Sequence, residues 1–158
     1  MLTLIFSAGP NRYALDARKI AEIVPAVSLQ PVPRAPDYVA GVFNFREAAV
    51  PVVDLCRLLN GTPGRMRLST RIVLVHYTPK LAGSASRLLG LMAESVTEMR
   101  SIDPTQLKAP VVSAPGAPYL GEIAAAQKGF TQMLVIEEIL PPELQEMLFS
   151  SPERPHEV

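Results

Sequence analysis

The amino-acid sequence predicts an all-β fold, two small β-barrels packed side by side with short helices appended. Three observations carry this reading. Sixteen prolines and nine glycines cut the 158-residue chain into short pieces. Most of those pieces are runs of Val, Ile, Leu and aromatic residues bounded by turn-forming residues, the pattern of strands. Helical spacing of apolar residues arises only briefly, once mid-chain and once near the C-terminus.

Taken in order, Leu2–Ser7 and Asn11–Asp16 flank a Gly9-Pro10-Asn11 turn, a hairpin signature. Ile20–Val24 and Val27–Val32 continue the strand pattern. Pro31, Pro33 and Pro36 then mark an irregular connection, because proline removes ladder donors. Ala40–Phe45 and Ala48–Val53 are separated by Arg46-Glu47, so they read as a tight hairpin. Pro51 predicts an edge strand or a bulge for the second run. Leu55, Leu58 and Leu59 then fall at i, i+3 and i+4, with Asp54 placed to cap a short helix and Gly61 to close it. Residues Gly61–Ser69 form a polar, Arg-bearing loop.

Arg71–Tyr77, Leu88–Met92 and Val96–Ile102 are further strands, with a small, polar, mobile loop expected over Pro79–Ser86. Pro110–Pro118 is a Pro- and Ala-rich connection. Tyr119–Ala126 and Phe130–Glu137 make a hairpin around Gln127-Lys128-Gly129. Pro141-Pro142 open a last helix, Glu143–Phe149, on which Leu140, Leu144, Met147 and Leu148 share a face. The expected division is into barrel subdomains of residues 15–70 and 71–138, a C-terminal helix over 141–149 and a frayed tail over 150–158.

Composition narrows function. The chain is 48% hydrophobic and 19% charged, ordinary for a globular protein. Lys plus Arg equals Asp plus Glu, at 15 each, so no net field draws in a polyanion and nucleic acid is not expected as a partner. A lone cysteine, Cys56, can form neither an internal disulfide nor a metal pair, which fits a reducing compartment. The opening residues Met1–Phe6 lack a basic segment and reach Ser7 and Gly9 early, unlike a signal peptide. No apolar run is long enough to span a bilayer. The expectation is a cytoplasmic protein that is not membrane-inserted.

A search for chemistry returns little. His76 alternates with Val75 and Tyr77 in a strand and reads as a polar-face residue, and His156 lies in the tail. Neither sits beside a nucleophile motif. Cys56 falls within the leucine-rich helix, where a small buried residue is the default. Glu137-Glu138 and Glu143–Glu146 lack a histidine partner and read as solvated carboxylates. Gly61-Thr62-Pro63-Gly64 lacks the Lys-Ser/Thr of a phosphate loop. Arg65, Arg67 and Arg71 form a basic cluster without interleaved aromatics, a loop surface or part of a protein contact. No catalytic, metal or cofactor site is predicted, so binding is the leading class; an enzyme on a small β-barrel is the competing one.

The stretch Pro33-Arg34-Ala35-Pro36, Gly41-Val42-Phe43-Asn44-Phe45-Arg46 and Val50-Pro51-Val52-Val53-Asp54-Leu55 resembles the signature of the CheW-like domain. Tyr13–Asp16, Ile20–Ile23, Gly90–Met99 and Tyr119–Gly121 extend the resemblance over nearly the whole chain. The resemblance implies two five-stranded SH3-like barrels with a hydrophobic seam between them. It also implies a non-enzymatic adaptor between chemoreceptor cytoplasmic tips and the regulatory domain of a CheA-type histidine kinase, working in membrane-associated arrays and needing no cofactor. An array-filling structural relative with weak kinase binding is the alternative within the family. By the same resemblance Glu22 falls on a receptor-facing acidic position and Arg46 on the hairpin arginine of receptor coupling. Val42, Asn44 and Glu47 share that receptor- or kinase-binding segment.

Departures from the family pattern suit a divergent member, such as one of a Wsp-type surface-sensing system. Glu47 stands where the family has a turn glycine, so the hairpin must turn differently or carry strain of roughly 1 kcal/mol or more. Ala93-Glu94 replaces Val-Asp, lengthening one carboxylate.

Overall fold

Strand pairing joins segments that are far apart in the chain. The computed structural model describes residues 1–81, 83–110, 114–126 and 129–149. Its strands are β1 (Leu2–Ala8), β2 (Asn11–Asp16), β3 (Ile20–Pro25), β4 (Val39–Phe45), β5 (Ala48–Asp54), β6 (Arg71–Tyr77), β7 (Arg87–Ala93), β8 (Ser95–Ser101), β9 (Leu120–Ala126) and β10 (Gly129–Leu134). The helices are α1 (Leu55–Asn60) and α2 (Pro142–Phe149), with 3-10 turns elsewhere. The strands form two five-stranded sheets, in the orders β8-β1-β2-β10-β9 and β3-β6-β7-β5-β4. The all-β expectation therefore holds, with the strands in two sheets.

The expected boundary near residue 70 does not match the sheets. β1 and β2 belong with the C-terminal strands, and β6 and β7 belong with β3–β5. Four pairings cross that boundary: β1 with β8 and β3 with β6, both antiparallel, and two parallel ones, β2 with β10, where Arg12 faces Thr131, and β5 with β7, where Val52 faces Gly90. None leaves a local turn signal: the antiparallel partners are far apart in the chain, and parallel neighbours are joined by long crossovers rather than hairpins.

Burial on both faces of each sheet explains the near-continuous apolar runs. In β6, Ile72 and Leu74 face a core inside their own sheet with Val50, Val52 and Met92. Val73, Val75 and Tyr77 alternate with them and face a seam shared with Leu4, Phe6 and Leu15 of the other sheet. Ile5, Ala14 and Met133 form the matching inner core of that sheet. Each fully buried Leu or Ile on these faces contributes about 1.5–3 kcal/mol. α2 closes the seam through Leu144 and Phe149, whose ring stacks on Tyr77 at 5.6 Å between centroids.

α1 forms as its caps predict. The Asp54 carboxylate accepts from the Arg57 N–H at 3.2 Å, and Gly61 closes the helix at φ 79°. The other Asp54 oxygen accepts from the Gly64 N–H at 2.8 Å, so one buried side chain shapes both the helix start and the following loop. Cys56 is buried and His76 exposed, each as read.

Several expectations need correction. Val27–Val32 is no strand: it contributes one bridge, Gln30 to Val42. Pro51 lies on an interior strand, β5, but its missing N–H costs no ladder bond there, because pairing to β7 begins only at Val52. β10 ends at Leu134, and Ile136–Glu138 is a 3-10 turn. On α2, Met147 is exposed while Gln145 is buried, held by the Lys80 N–H at 2.6 Å and donating to the Leu140 carbonyl at 2.8 Å. The expected tail, the Gln127-Lys128 pair, residues 111–113 of the Pro-rich connection and residue 82 of the Pro79–Ser86 loop lie outside the described residues.

Candidate functional site

The β4–β5 hairpin turns through two residues, and both adopt positive φ: 49° at Arg46 and 68° at Glu47. That is the backbone of a type I′ turn, the form whose twist matches paired strands and which favours Asn-Gly. Neither Arg nor Glu has glycine's freedom, so the turn carries the strain that the sequence predicts for Glu47. Asn44 offsets part of it by accepting the Glu47 N–H on its side-chain oxygen at 2.8 Å.

The turn delivers Arg46 to a defined place. Its guanidinium donates to a Glu22 carboxylate oxygen at 3.2 Å and lies over the Phe45 ring, 4.7 Å from its centroid. Phe45 in turn meets Phe43 edge-on at 6.2 Å. Arg46 nevertheless stays about 75% exposed. Glu22 is held differently: its second oxygen is shielded from water and accepts no hydrogen bond among the described residues. Two residues singled out separately from the sequence are thus one ion pair.

The remaining residues divide along β4. Val42 and Asn44 share the face opposite Phe43 and Phe45, which pack on the inner core. Val42 does not join the turn. Its backbone is taken by Gln30: the Val42 N–H donates to the Gln30 carbonyl at 2.8 Å, and the Val42 carbonyl accepts from the Gln30 N–H at 2.9 Å. Gly41, also buried, makes this crossing feasible: a Cβ there would lie 2.6 Å from the Gln30 carbonyl oxygen, and its φ is 146°. Sequence reasoning missed Gln30 and the support of Arg46 by Phe45; the adjacency of an aromatic and an arginine was the available signal.

Among the described residues no group of three or more His, Cys, Asp or Glu is placed to hold a metal ion. No helix of the described chain is long and apolar enough to cross a membrane. Fold and site together define a two-sheet β module that presents a braced, charged turn.

A family model described as the CheW-like domain matches residues 3–143, and the chain belongs to that family. The "Chemotaxis protein CheW" of Treponema pallidum is 28% identical over 137 residues, covering 84% of this chain and 76% of that protein. The protein of the same name from Klebsiella aerogenes is 27% identical over 142 residues, covering 89% and 81%. "Protein FrzA" of Myxococcus xanthus is 27% identical over 112 residues, covering 71% and 66%. Among solved structures, scaffolding protein TtCheW from Thermoanaerobacter tengcongensis matches with a TM-score of 0.73 at 24% identity, over 86% of this chain and 84% of that one. The last likeness is one of fold.

Proposed function

We propose that this chain is a non-enzymatic adaptor of a chemosensory array, coupling chemoreceptor cytoplasmic tips to the regulatory domain of a CheA-type histidine kinase in the cytoplasm. Family membership and the chemotaxis names of its relatives support the general role. The observation that carries the site is the Glu22–Arg46 pair beside Phe45. It offers a helical partner an exposed guanidinium, held in place by the Glu22 carboxylate, beside the apolar surface of Phe45. Helix-in-groove recognition uses these elements: apolar side chains give affinity and flanking charges set register. ATP binding and phosphoryl transfer belong to the kinase in this reading, so the adaptor needs no cofactor.

The test is a pull-down of the purified chain against receptor and kinase fragments from its own organism, with Arg46→Glu as control. The reading expects both fragments to be retained and the receptor fragment to be lost in the variant. Retention of neither by the folded wild-type chain would overturn it.

A further inference from the structure

At the junction of the two sheets, away from the β4–β5 turn, lies an open cleft of about 600 Å³. Four separated segments build it: the β1–β2 turn, α1, the Gly61–Ser69 loop, and the β7–β8 turn with Glu94. Its volume falls in the range of about 300–1,000 Å³ that small-molecule sites occupy. We propose that this cleft binds a small phosphomonoester.

The walls are shaped for close approach. Gly9 sits where a Cβ would meet the Asn60 side chain at 2.5 Å, and Gly64 where one would meet an Asp54 oxygen at 3.0 Å. Asp54 already accepts from the Gly64 N–H, so its charge serves the loop and fixes the loop's course past the cleft.

The lining favours an anion. Arg65 and Arg67 contribute two positive charges and Glu94 one negative charge. Arg65 makes no ion pair among the described residues, whereas Arg67 reaches Glu94 at 3.4 Å. Cys56 lies 3.5 Å from the other Glu94 oxygen; burial, then the neighbouring carboxylate, pushes its thiol up, so it stays neutral near pH 7 and does not repel an anion. Ser7, Asn60, Thr62 and Ser95 line the cleft from different walls, and the Asn60 amide donates to the Thr62 hydroxyl at 3.2 Å. Donors arriving from several directions suit the tetrahedral oxygens of a phosphate better than a flat carboxylate, and arginine forks pair with phosphate oxygens.

Glu94 sets the affinity. It is the carboxylate lengthened relative to the family pattern, and it pairs with Arg67 on the cleft wall. An entering phosphate must displace it from that guanidinium.

The test is amide NMR of the full chain titrated with AMP, inorganic phosphate and adenosine. AMP is expected to shift the Gly64, Arg65 and Ser95 amides saturably below about 10 mM, and adenosine to leave them unmoved. Arg65→Ala, at an exposed residue, is expected to weaken AMP about tenfold. Glu94→Gln is expected to tighten it, and Arg46→Glu to change nothing. Inorganic phosphate binding as tightly as AMP would support the site and assign free phosphate as its occupant. No saturable shift, equal shifts with adenosine, or an unaltered response in Arg65→Ala would overturn the proposal.

Discussion

Arg46 and Glu22 join opposite edges of one sheet: the guanidinium on the β4–β5 turn meets the carboxylate on β3 at 3.2 Å, and β3 and β4 are the outer strands of their sheet. Gln30, in the β3–β4 connection, bridges to Val42 on the β4 edge. The pair therefore fixes where the turn stands relative to β3. Its contribution to stability is small, since exposed ion pairs give roughly 0–1 kcal/mol. Arg46→Ala should lower unfolding free energy by less than about 1 kcal/mol in urea titration while reducing receptor binding. A large loss of stability with binding retained would assign the pair to the fold alone.

Glu47 sits at φ 68° in that turn. Replacing it with glycine removes the backbone strain, so Glu47→Gly should raise stability by about 1 kcal/mol despite glycine's greater unfolded-state entropy. The shift in the urea midpoint at constant slope checks this. Asn44→Ala should act in the opposite direction, because the Glu47 N–H then loses its acceptor.

Gly41 has no room for a side chain, with Leu29 Cβ at 2.9 Å and the Gln30 oxygen at 2.6 Å from the position of a Cβ. Gly41→Ala should destabilise by more than about 1 kcal/mol, through both contact and positive φ. Faster amide exchange at Val42, whose N–H bonds the Gln30 carbonyl, would locate the damage.

Tyr77 is 1% exposed, and its hydroxyl finds no hydrogen-bond partner among the described residues. Burial, followed by the charges of Glu138 and Glu137, pushes its ionisation up to about 12 from an ordinary 10.0. The unfolded chain releases that proton first. This contribution to stability is intact below pH 10 and declines by about 1.4 kcal/mol per unit as pH climbs toward 12. Tyr77→Phe should be neutral to about 1 kcal/mol stabilising at pH 7 and should remove that alkaline slope, read by urea unfolding across pH.

Much of this fold was legible because it is local. The hairpins around Pro10 and Arg46-Glu47, the Asp54 cap and the Gly61 stop all follow from residues within a few positions of one another. Sheet membership was not, since the β1–β8, β2–β10, β3–β6 and β5–β7 pairings join strands far apart in the chain and leave no turn to read. The site was half legible. Glu22 and Arg46 stand out by resemblance to family motifs, yet they lie 24 positions apart, and only the closing of the sheet makes them a pair. Val42 shares the motif segment of Arg46, but its backbone serves the Gln30 crossing.

The most direct test of the adaptor reading is kinase output. Receptor-bearing membranes and the CheA-type kinase would be assayed for autophosphorylation with the chain omitted, present, or present as Arg46→Glu. The account predicts strong receptor-dependent stimulation by the wild-type chain and little by the variant. Stimulation that is the same without the chain, or equal with both forms, would contradict it.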